Sequence, residues 1–264
     1  NIPSEYFHDT IKRQSVVNPG ILFTFRNQVG HSFESTDYKY DNGIADYLAE
    51  VVGDDALTGI QVWSAERVGR DRADMADYKL KMNIACCFSN KVHFKEYYHN
   101  SSYLEHGGSP EKAVRSAFVY QIDTYIKQTS KYTKNESKIS FADVEECLDI
   151  VVSSFSTQTS YENQTKKSIT NKFIADAMTE FMRRQLEVYF IENKADADRI
   201  ADQVLINKRS RERSEKERLN IKNTLQTKND LANRVQKFVD CRTRDVTRRE
   251  VFIVEGDSAL GSCK

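Results

Sequence analysis

A carboxylate follows an apolar run near the end of the chain, where it could bind a metal ion or accept a proton. Val251–Val254 are four apolar residues, Glu255 comes directly after them, and Gly256 allows a tight turn. We predict a buried parallel strand from these four apolar residues. Open α/β sheets place their sites at the carboxyl ends of such strands, which is where Glu255 would lie. Glu255 would then offer a hard oxygen ligand to Mg²⁺ or a proton acceptor near a phosphodiester. The competing interpretation is an ordinary turn in which Asp257 caps the next helix.

Two other groups of residues could bind a ligand, and each has a simpler interpretation. Gly107-Gly108 come before a helix start and could cradle a phosphate, as the loop of a small-molecule kinase does. The pair is too short to be specific, so a kinase-like enzyme is an alternative that nucleotide binding by this chain alone would favour. His99 and His106 could bind a metal ion together with Cys86-Cys87. Their spacing matches no zinc pattern, which favours loop histidines and strand cysteines.

Composition indicates a folded protein with no general attraction to nucleic acid or membranes. The 264 residues are 39% hydrophobic, which is enough for a substantial core. Lys plus Arg and Asp plus Glu number 39 each, so any contact with nucleic acid must be local. No apolar run approaches the roughly 18 residues that cross a bilayer, and the five cysteines lack disulfide spacing. We expect a cytoplasmic protein with no membrane partner.

The elements predicted around these residues alternate strands and helices. Strands are predicted at residues 21–25, 32–40, 60–68, 78–88 and 148–155, and helices at 44–52, 109–127, 140–147, 173–190 and from 197 onward. Ser109 is the predicted N-cap of one helix, and Ser140 with Asp143 forms a predicted capping box. Residues 2–17 are interpreted as a short lead-in and 131–138 as an exposed connector. This order indicates an α/β layer structure.

A basic run, Lys208–Arg218, is polar all round and therefore predicts a solvent-bridging helix at a domain boundary. Contact of this run with DNA is a minority hypothesis, because Glu212, Glu215 and Glu217 interrupt the positive charge. The chain begins at Asn1 without a methionine and ends just after a glycine-rich turn. We therefore expect a piece of a longer protein.

The string from Val251 to Ser262 resembles the opening of the TOPRIM domain in B subunits of bacterial type II DNA topoisomerases, DNA gyrase and topoisomerase IV. The pattern there is Glu-Gly-Asp-Ser-Ala-Gly-Gly followed shortly by Lys, and this chain departs from it at Leu260 and Cys263. Upstream, Lys237 and Asp240-Cys241 are similar to the Lys-x-x-Asp-Cys stretch before that domain, without the Pro-Gly that precedes it in the family.

A second segment, Tyr161–Lys166, resembles the family's Phe-Glu-Gly-Gln-Thr-Lys loop. Asn163 stands in place of a glycine, and asparagine can still adopt a positive φ. Glu105–Ser109 resembles its Glu-Gly-Gly-Thr-His loop more loosely. The resemblance implies that Gln164 and Lys166 sense the γ-phosphate of ATP held in a preceding GHKL-type ATPase domain of the same chain. An amide and an ammonium can both donate to phosphate oxygens.

The resemblance also implies the fold class and the domains. We expect a two-layer α/β transducer domain of the ribosomal-protein-like, GHMP-kinase-like βαβ type at residues 1–190. A helical arm and linker at 191–244 and the truncated start of a TOPRIM domain at 245–264 would follow, with Glu255 as catalytic residue and metal ligand. A different TOPRIM protein, such as a primase or nuclease, and a structural interaction module stay as alternatives.

The implied activity is that of an ATP-dependent DNA topoisomerase, an isomerase, in which this chain couples ATP binding and hydrolysis to DNA strand passage. The implied cofactors are ATP and Mg²⁺ in the parent enzyme, with none bound to this chain by itself. The implied partners are DNA, the A subunit and a second copy of the B subunit. By itself the chain is expected to be inactive.

Overall fold

The computed structural model describes residues 2–234, 241–243 and 245–263. The chain divides between Ser210 and Arg211 into two compact units. This division reflects contacts within the chain and not domain identity, so the domain boundaries near residues 190 and 244 stay predictions.

The helices and strands follow the predicted order closely. The helices are α1 (Ser4–Val17), α2 (Ile44–Val52), α3 (Ser109–Gln128), α4 (Phe141–Glu145), α5 (Lys172–Glu192), α6 (Lys194–Arg234) and α7 (Asp257–Ser262). The strands are β1 (Phe23–Val29), β2 (Ser32–Tyr38), β3 (Gln61–Gly69), β4 (Tyr78–Phe88), β5 (Lys95–His99), β6 (Ser102–Tyr103) and β7 (Leu148–Ser156). In the described part of the chain, no helix is long and apolar enough to cross a membrane.

The main sheet of the first unit is mixed, with strand order β3-β4-β7-β5-β6. β5 and β7 run parallel, whereas the other neighbours in this sheet are antiparallel. The chain passes from β5 to β7 through β6, α3 and α4, which supply the crossover that a parallel pair requires. β1 and β2 form a separate antiparallel hairpin, as predicted. The mixed α/β class is confirmed.

Helices cover both faces of this sheet. Alternate apolar residues of β4, from Leu80 to Phe88, pack with β7, α3, α5 and the start of α6 in one core. Lys79, Lys81 and Asn83 on the opposite face are exposed, as their alternation predicts. Further along β4 that opposite face is buried against α1 and α2 in a second, smaller core.

Three elements were not predicted: α1, β5 and the two-residue strand β6. Residues 2–17 contain the helix α1 and not a lead-in; its exposed apolar residues Tyr6 and Phe7 gave no clear stripe. β5 has charged and polar residues at buried positions, including Glu96 and His99, so it lacks the apolar alternation that marks a strand. Both side chains are hydrogen-bonded, which makes their burial tolerable.

The two predicted helix starts differ in outcome. The capping box of Ser140 and Asp143 is present at the start of α4, as predicted. Ser109 is not the N-cap of α3, because Gly108 occupies that position and Ser109 is already helical. The Ser109 hydroxyl instead donates to the carbonyl oxygen of Asn171 at 2.8 Å. It therefore joins α3 to the start of α5.

The predicted exposed connector and basic run meet in a buried ion-pair cluster. Glu136, from the connector, accepts from Lys208 Nζ at 3.1 Å and from Arg209 Nη2 at 2.9 Å. Lys208 is fully buried and the Glu136 side chain is 7% exposed, so the prediction of full solvation is wrong at these two positions. The adjacent Arg209 guanidinium holds the pKa of Glu136 well below its usual range. Beyond Arg209 the run is largely exposed, as predicted.

The predicted buried strand Val251–Val254 is wrong. These residues form no strand, and Val251 and Ile253 are 87% and 94% exposed. A parallel strand is stable only beside a partner that satisfies its backbone groups, and no strand among the described residues pairs with this run. The helix predicted after it is present as α7.

The buried cluster around Glu136 predicts a large loss of stability on truncation. Glu136→Ala removes the carboxylate that faces a fully buried ammonium, and we expect the free energy of unfolding to fall by about 3 kcal/mol. Urea denaturation measures this change. Glu217→Ala is the matched control, because its pair with Arg213 is exposed and should contribute less than about 1 kcal/mol. Equal effects of the two substitutions would contradict a buried cluster.

Candidate functional site

The segment that carries Gln164 and Lys166 is a loop closed at its base and exposed at its tip. Tyr161 and Ile169 face each other in an antiparallel bridge. Inside that bridge, the backbone N–H of Glu162 donates to Ser168 O at 3.0 Å. The tip, residues 163–166, lies in solvent. A fixed base with an accessible tip is suited to contacting a ligand from outside this unit.

Asn163 shapes the tip through its acceptors. Its carbonyl oxygen accepts from Lys166 N at 3.3 Å, and its side-chain Oδ1 accepts from Thr165 N at 3.2 Å and from Thr165 Oγ1 at 2.5 Å. Such side-chain contacts two residues ahead are the usual function of asparagine in turns. The positive φ that we expected at Asn163 falls instead on Lys166, where φ is 57°.

Gln164 and Lys166 are therefore brought to one tip, with both side chains exposed. The Lys166 ammonium lies 5.5 Å from the centre of the Tyr161 ring, a cation–π contact. The neighbouring Lys167 is used differently, since it pairs with Glu105 at the base of the loop. Two hydrogen-bond donors, one of them charged, are thus presented within three residues. Phosphate oxygens are the acceptors that such a pair suits.

Gly107 and Gly108 support this loop. The Ser109 N–H donates to Ile169 O at 2.9 Å, and a Cβ on Gly108 would lie only 2.3 Å from that same oxygen. Gly108 also has a φ of 85°, which side chains rarely adopt. The glycines are explained by this close approach of backbone. The Ser109 N–H at the start of α3 is already donating to Ile169 O, which argues against the kinase-like alternative.

A buried network fixes the chain just before the loop. His99 is fully buried; its Nδ1 lies 2.8 Å from Ser154 Oγ, and its Nε2 lies 2.9 Å from Thr159 Oγ1. Asn100 also donates to Thr159 Oγ1, at 3.1 Å. Burial lowers the pKa of His99 to about 4, so the ring is neutral near pH 7. His99, which the sequence offered as a candidate metal ligand, is therefore a structural link between β5 and β7.

Glu255 lies in the second unit, at a bend before α7, and is exposed. Gly256 follows it with a φ of 86°, which provides the predicted tight turn. Lys237 and Asp240 of the similar upstream stretch lie outside the described residues, whereas Cys241 is described and exposed. Within the ranges 2–234, 241–243 and 245–263, no three His, Cys, Asp or Glu residues are grouped to hold a metal ion.

Asn171 and Asp71 were missed as functional candidates. Asn171 precedes the apolar stripe of α5, where a sequence pattern indicates an N-cap. Its side chain makes no such bond; the Asp71 carboxylate caps Phe173 N instead, at 2.8 Å. A contact across about a hundred positions has no local signal in the sequence.

Comparison with known proteins agrees with this fold. The DNA gyrase B family model matches residues 43–220. The B subunit of DNA gyrase from Mycoplasma pneumoniae is 26% identical over 262 residues, covering 96% of this chain and 39% of that protein. The corresponding gyrase protein of Chlamydia pneumoniae is 27% identical over 257 residues, covering 96% of this chain and 31% of that protein. The chain thus spans well under half the length of these relatives.

Solved structures share the fold at low sequence identity. The 43K ATPase domain of Thermus thermophilus gyrase B, solved with an aminocoumarin, superposes with a TM-score of 0.62 at 16% identity, over 83% of this chain and 56% of that one. The topoisomerase IV ATP-binding domain of Francisella tularensis gives 0.59 at 16% identity, over 80% and 54%. The fold is that of B subunits of type II DNA topoisomerases. Since the DNA gyrase B family model matches most of the chain, the protein belongs to the DNA gyrase B family.

The neutral, buried state of His99 predicts a pH dependence of stability. The folded pKa is lowered from 6.5 to about 4, so the folded state resists protonation that the unfolded state accepts. The stabilisation is complete above about pH 6.5 and is lost as pH falls toward 4, by about 3 kcal/mol in total. Comparing the unfolding free energy of wild type and His99→Gln across this range isolates the effect. Parallel pH profiles of the two proteins would rule it out.

Proposed function

We propose that this chain is the transducer region of a type II topoisomerase B subunit, and that it relays the state of bound ATP to the DNA-cleaving part of the enzyme. In this proposal, residues 1–190 form the transducer domain, 191–244 the helical arm and linker, and 245–264 the start of a TOPRIM domain. ATP is held by a GHKL-type ATPase domain elsewhere in the same polypeptide. The family membership and the greater length of the relatives support this arrangement.

The exposed tip bearing Gln164 and Lys166 is the observation that carries the proposal. The Gln164 amide and the Lys166 ammonium donate to the γ-phosphate oxygens of ATP. Lys166 has a positive φ, an uncommon conformation for a residue with a side chain, and such outliers cluster at functional sites. The base of the loop is hydrogen-bonded to the rest of the unit, so a contact at the tip acts on those bonds as well.

Hydrolysis removes the partner of these donors. While the γ-phosphate is present, the tip is ordered around it; after release, the tip returns to solvent. Ordering of a segment by a terminal phosphate is a known form of nucleotide switch. The loop then reports which nucleotide is bound.

Contacts among the described residues support such a relay from the loop to α6. The loop bonds to the start of α3, and α3 packs along α5 in the main core. α6 follows α5 after one residue, and the Glu136 cluster ties it to the connector after α3. Displacement of α3 and α5 is thereby passed to α6.

The whole enzyme would act on DNA with an A subunit and a second B subunit, changing DNA topology by strand passage as an ATP-dependent isomerase. The residues of this chain would neither hydrolyse ATP nor cleave DNA by themselves. ATP and Mg²⁺ are the cofactors of the assembled enzyme in this proposal.

The proposal predicts that Lys166→Gln in the full-length protein lowers ATP turnover by about 100-fold, because a charged contact to the reacting phosphate is lost. Steady-state ATP hydrolysis in the assembled enzyme measures it. Lys167→Gln is the matched control, since that neighbouring ammonium pairs with Glu105, and it should retain turnover. Unchanged turnover in Lys166→Gln would support a purely structural interaction module.

Glu255 is proposed as a catalytic acid-base residue and Mg²⁺ ligand of the TOPRIM domain. Mg²⁺ requires about six oxygen ligands, and the described residues alone do not complete such a site. Mg²⁺ usually keeps several water ligands and is bound through one or two carboxylates, so Glu255 would act as one ligand among several. What Glu255 itself contributes is an exposed carboxylate on a glycine turn.

Glu255→Gln in the full-length protein should lower DNA cleavage by about 100-fold or more while ATP hydrolysis is retained, because only the cleavage site loses its carboxylate. Cleavage of closed circular DNA in the assembled enzyme is the measurement. Glu250→Gln, another exposed carboxylate of the same segment, serves as the control. Full cleavage activity in Glu255→Gln would remove Glu255 from the site.

A further inference from the structure

Asn171 is a buried amide that joins three segments of the first unit. It is 2% exposed, and it lies between the end of the loop and the first residue of α5. Its side-chain Oδ1 accepts from Ser160 N, at the other end of the loop, at 2.7 Å. Its Nδ2 donates to Asp71 Oδ2 at 2.8 Å and to Tyr78 Oη at 3.1 Å. Donor and acceptor capacity of the amide are both used.

The orientation of this amide is determined by its partners. Ser160 N–H can only donate, so it must face the oxygen of Asn171. The Asp71 carboxylate can only accept when ionised, so it must face the nitrogen. No other residue type of this size offers an acceptor and two donors in this arrangement, and Asp in its place would present an oxygen to the Asp71 carboxylate.

Three partners of Asn171, namely Ser160, Asp71 and Ser109, connect it to the loop, to α5 and to α3. Ser160 begins the loop, and Thr170 N also donates to its carbonyl oxygen at 2.9 Å. Asp71 caps α5 through Phe173 N. The Asn171 carbonyl oxygen accepts from Ser109 Oγ at the start of α3, at 2.8 Å. A shift of the loop base thus reaches both helices through one residue.

We propose that Asn171, held by Asp71, is a positioning residue that transmits the nucleotide-dependent state of the Gln164–Lys166 tip to α3 and α5. This inference rests on the proposed function of the loop and adds the residue pair by which the loop acts. Breaking the Asn171–Asp71 bond leaves the tip residues intact. ATP is still hydrolysed, but less of its energy is converted into strand passage.

The Asn171–Asp71 pair allows a test by exchange of donor and acceptor. Asn171→Asp places two carboxylates in contact, and Asp71→Asn places two amides with donors facing each other. The double variant restores one donor and one acceptor across the same gap, and the amide oxygen introduced at position 71 can still cap Phe173 N. The measurement is linking-number change per ATP hydrolysed, in the full-length protein assembled with its A-type partner and closed circular DNA. Thermal unfolding of each variant is recorded in parallel.

We expect each single variant to lower the linking-number change per ATP by about fivefold or more, and the double variant to recover most of it. Asn83→Asp, the same chemical change at an exposed position of β4, should leave the ratio unchanged. A ratio unchanged in folded single variants, or not recovered in a folded double variant, would overturn the inference. If a single variant does not fold, the linking-number change per ATP of the folded double variant is compared with that of wild type. A value near wild type supports the inference, and a low value overturns it.

The Lys166→Gln protein is assayed beside these variants. Loss of ATP turnover in Lys166→Gln together with unchanged ratios in the Asn171 and Asp71 variants refutes this inference alone. Unchanged turnover in Lys166→Gln refutes the proposed function of the loop, on which the inference rests.

Discussion

The parallel pairing of β5 with β7 is the constraint on which the candidate site depends. Lys95 lies opposite Ile150 and His99 opposite Ser154, so both strands end at the same edge of the sheet. Parallel strands cannot be joined by a tight turn, and the crossover through α3 and α4 is therefore obligatory. Two loops leave that edge together, one leading to α3 and one leading to α5. Their proximity makes the loop of Gln164 and Lys166 possible.

Polar groups buried at this edge specify the position of the loop. β7 is largely buried, and Ser154 and Ser156 near its end need hydrogen-bond partners. His99 supplies them as a neutral ring, which avoids the cost of burying a charge. Directional bonds of this kind add little net stability, but leaving one unmade is costly. The loop base is therefore tied by hydrogen bonds to its neighbours, while its tip lies in solvent.

Local patterns in the sequence predicted the elements whose residues alternate or recur regularly. The alternation from Tyr78 to Ile84 identified β4, and Ser140 with Asp143 identified the start of α4. β5 was not predicted, because Glu96 and His99 occupy buried positions and interrupt the apolar alternation. The partners of His99, Ser154 and Ser156, are 55 and 57 positions away in the sequence. The failure at Val251–Val254 has the opposite origin: four apolar residues describe a strand only if another strand lies beside them. A pattern gives the preference of a segment, whereas burial depends on its neighbours.

The same distinction separates the residues of the candidate site. Gln164 and Lys166 were predicted as candidates from a motif, because the motif lies in consecutive residues, Tyr161–Lys166. Asn171 and Asp71 could not be predicted in this way, since about a hundred positions separate them and each occupies an ordinary local position, before a helix and in a loop. For Gly108, the sequence left a phosphate loop as one alternative, whereas in the fold the glycine is explained by its close approach to Ile169 O. Candidate ligand-binding residues can thus be found from a motif in the sequence, while the residues that hold their loop in place are found only in the fold.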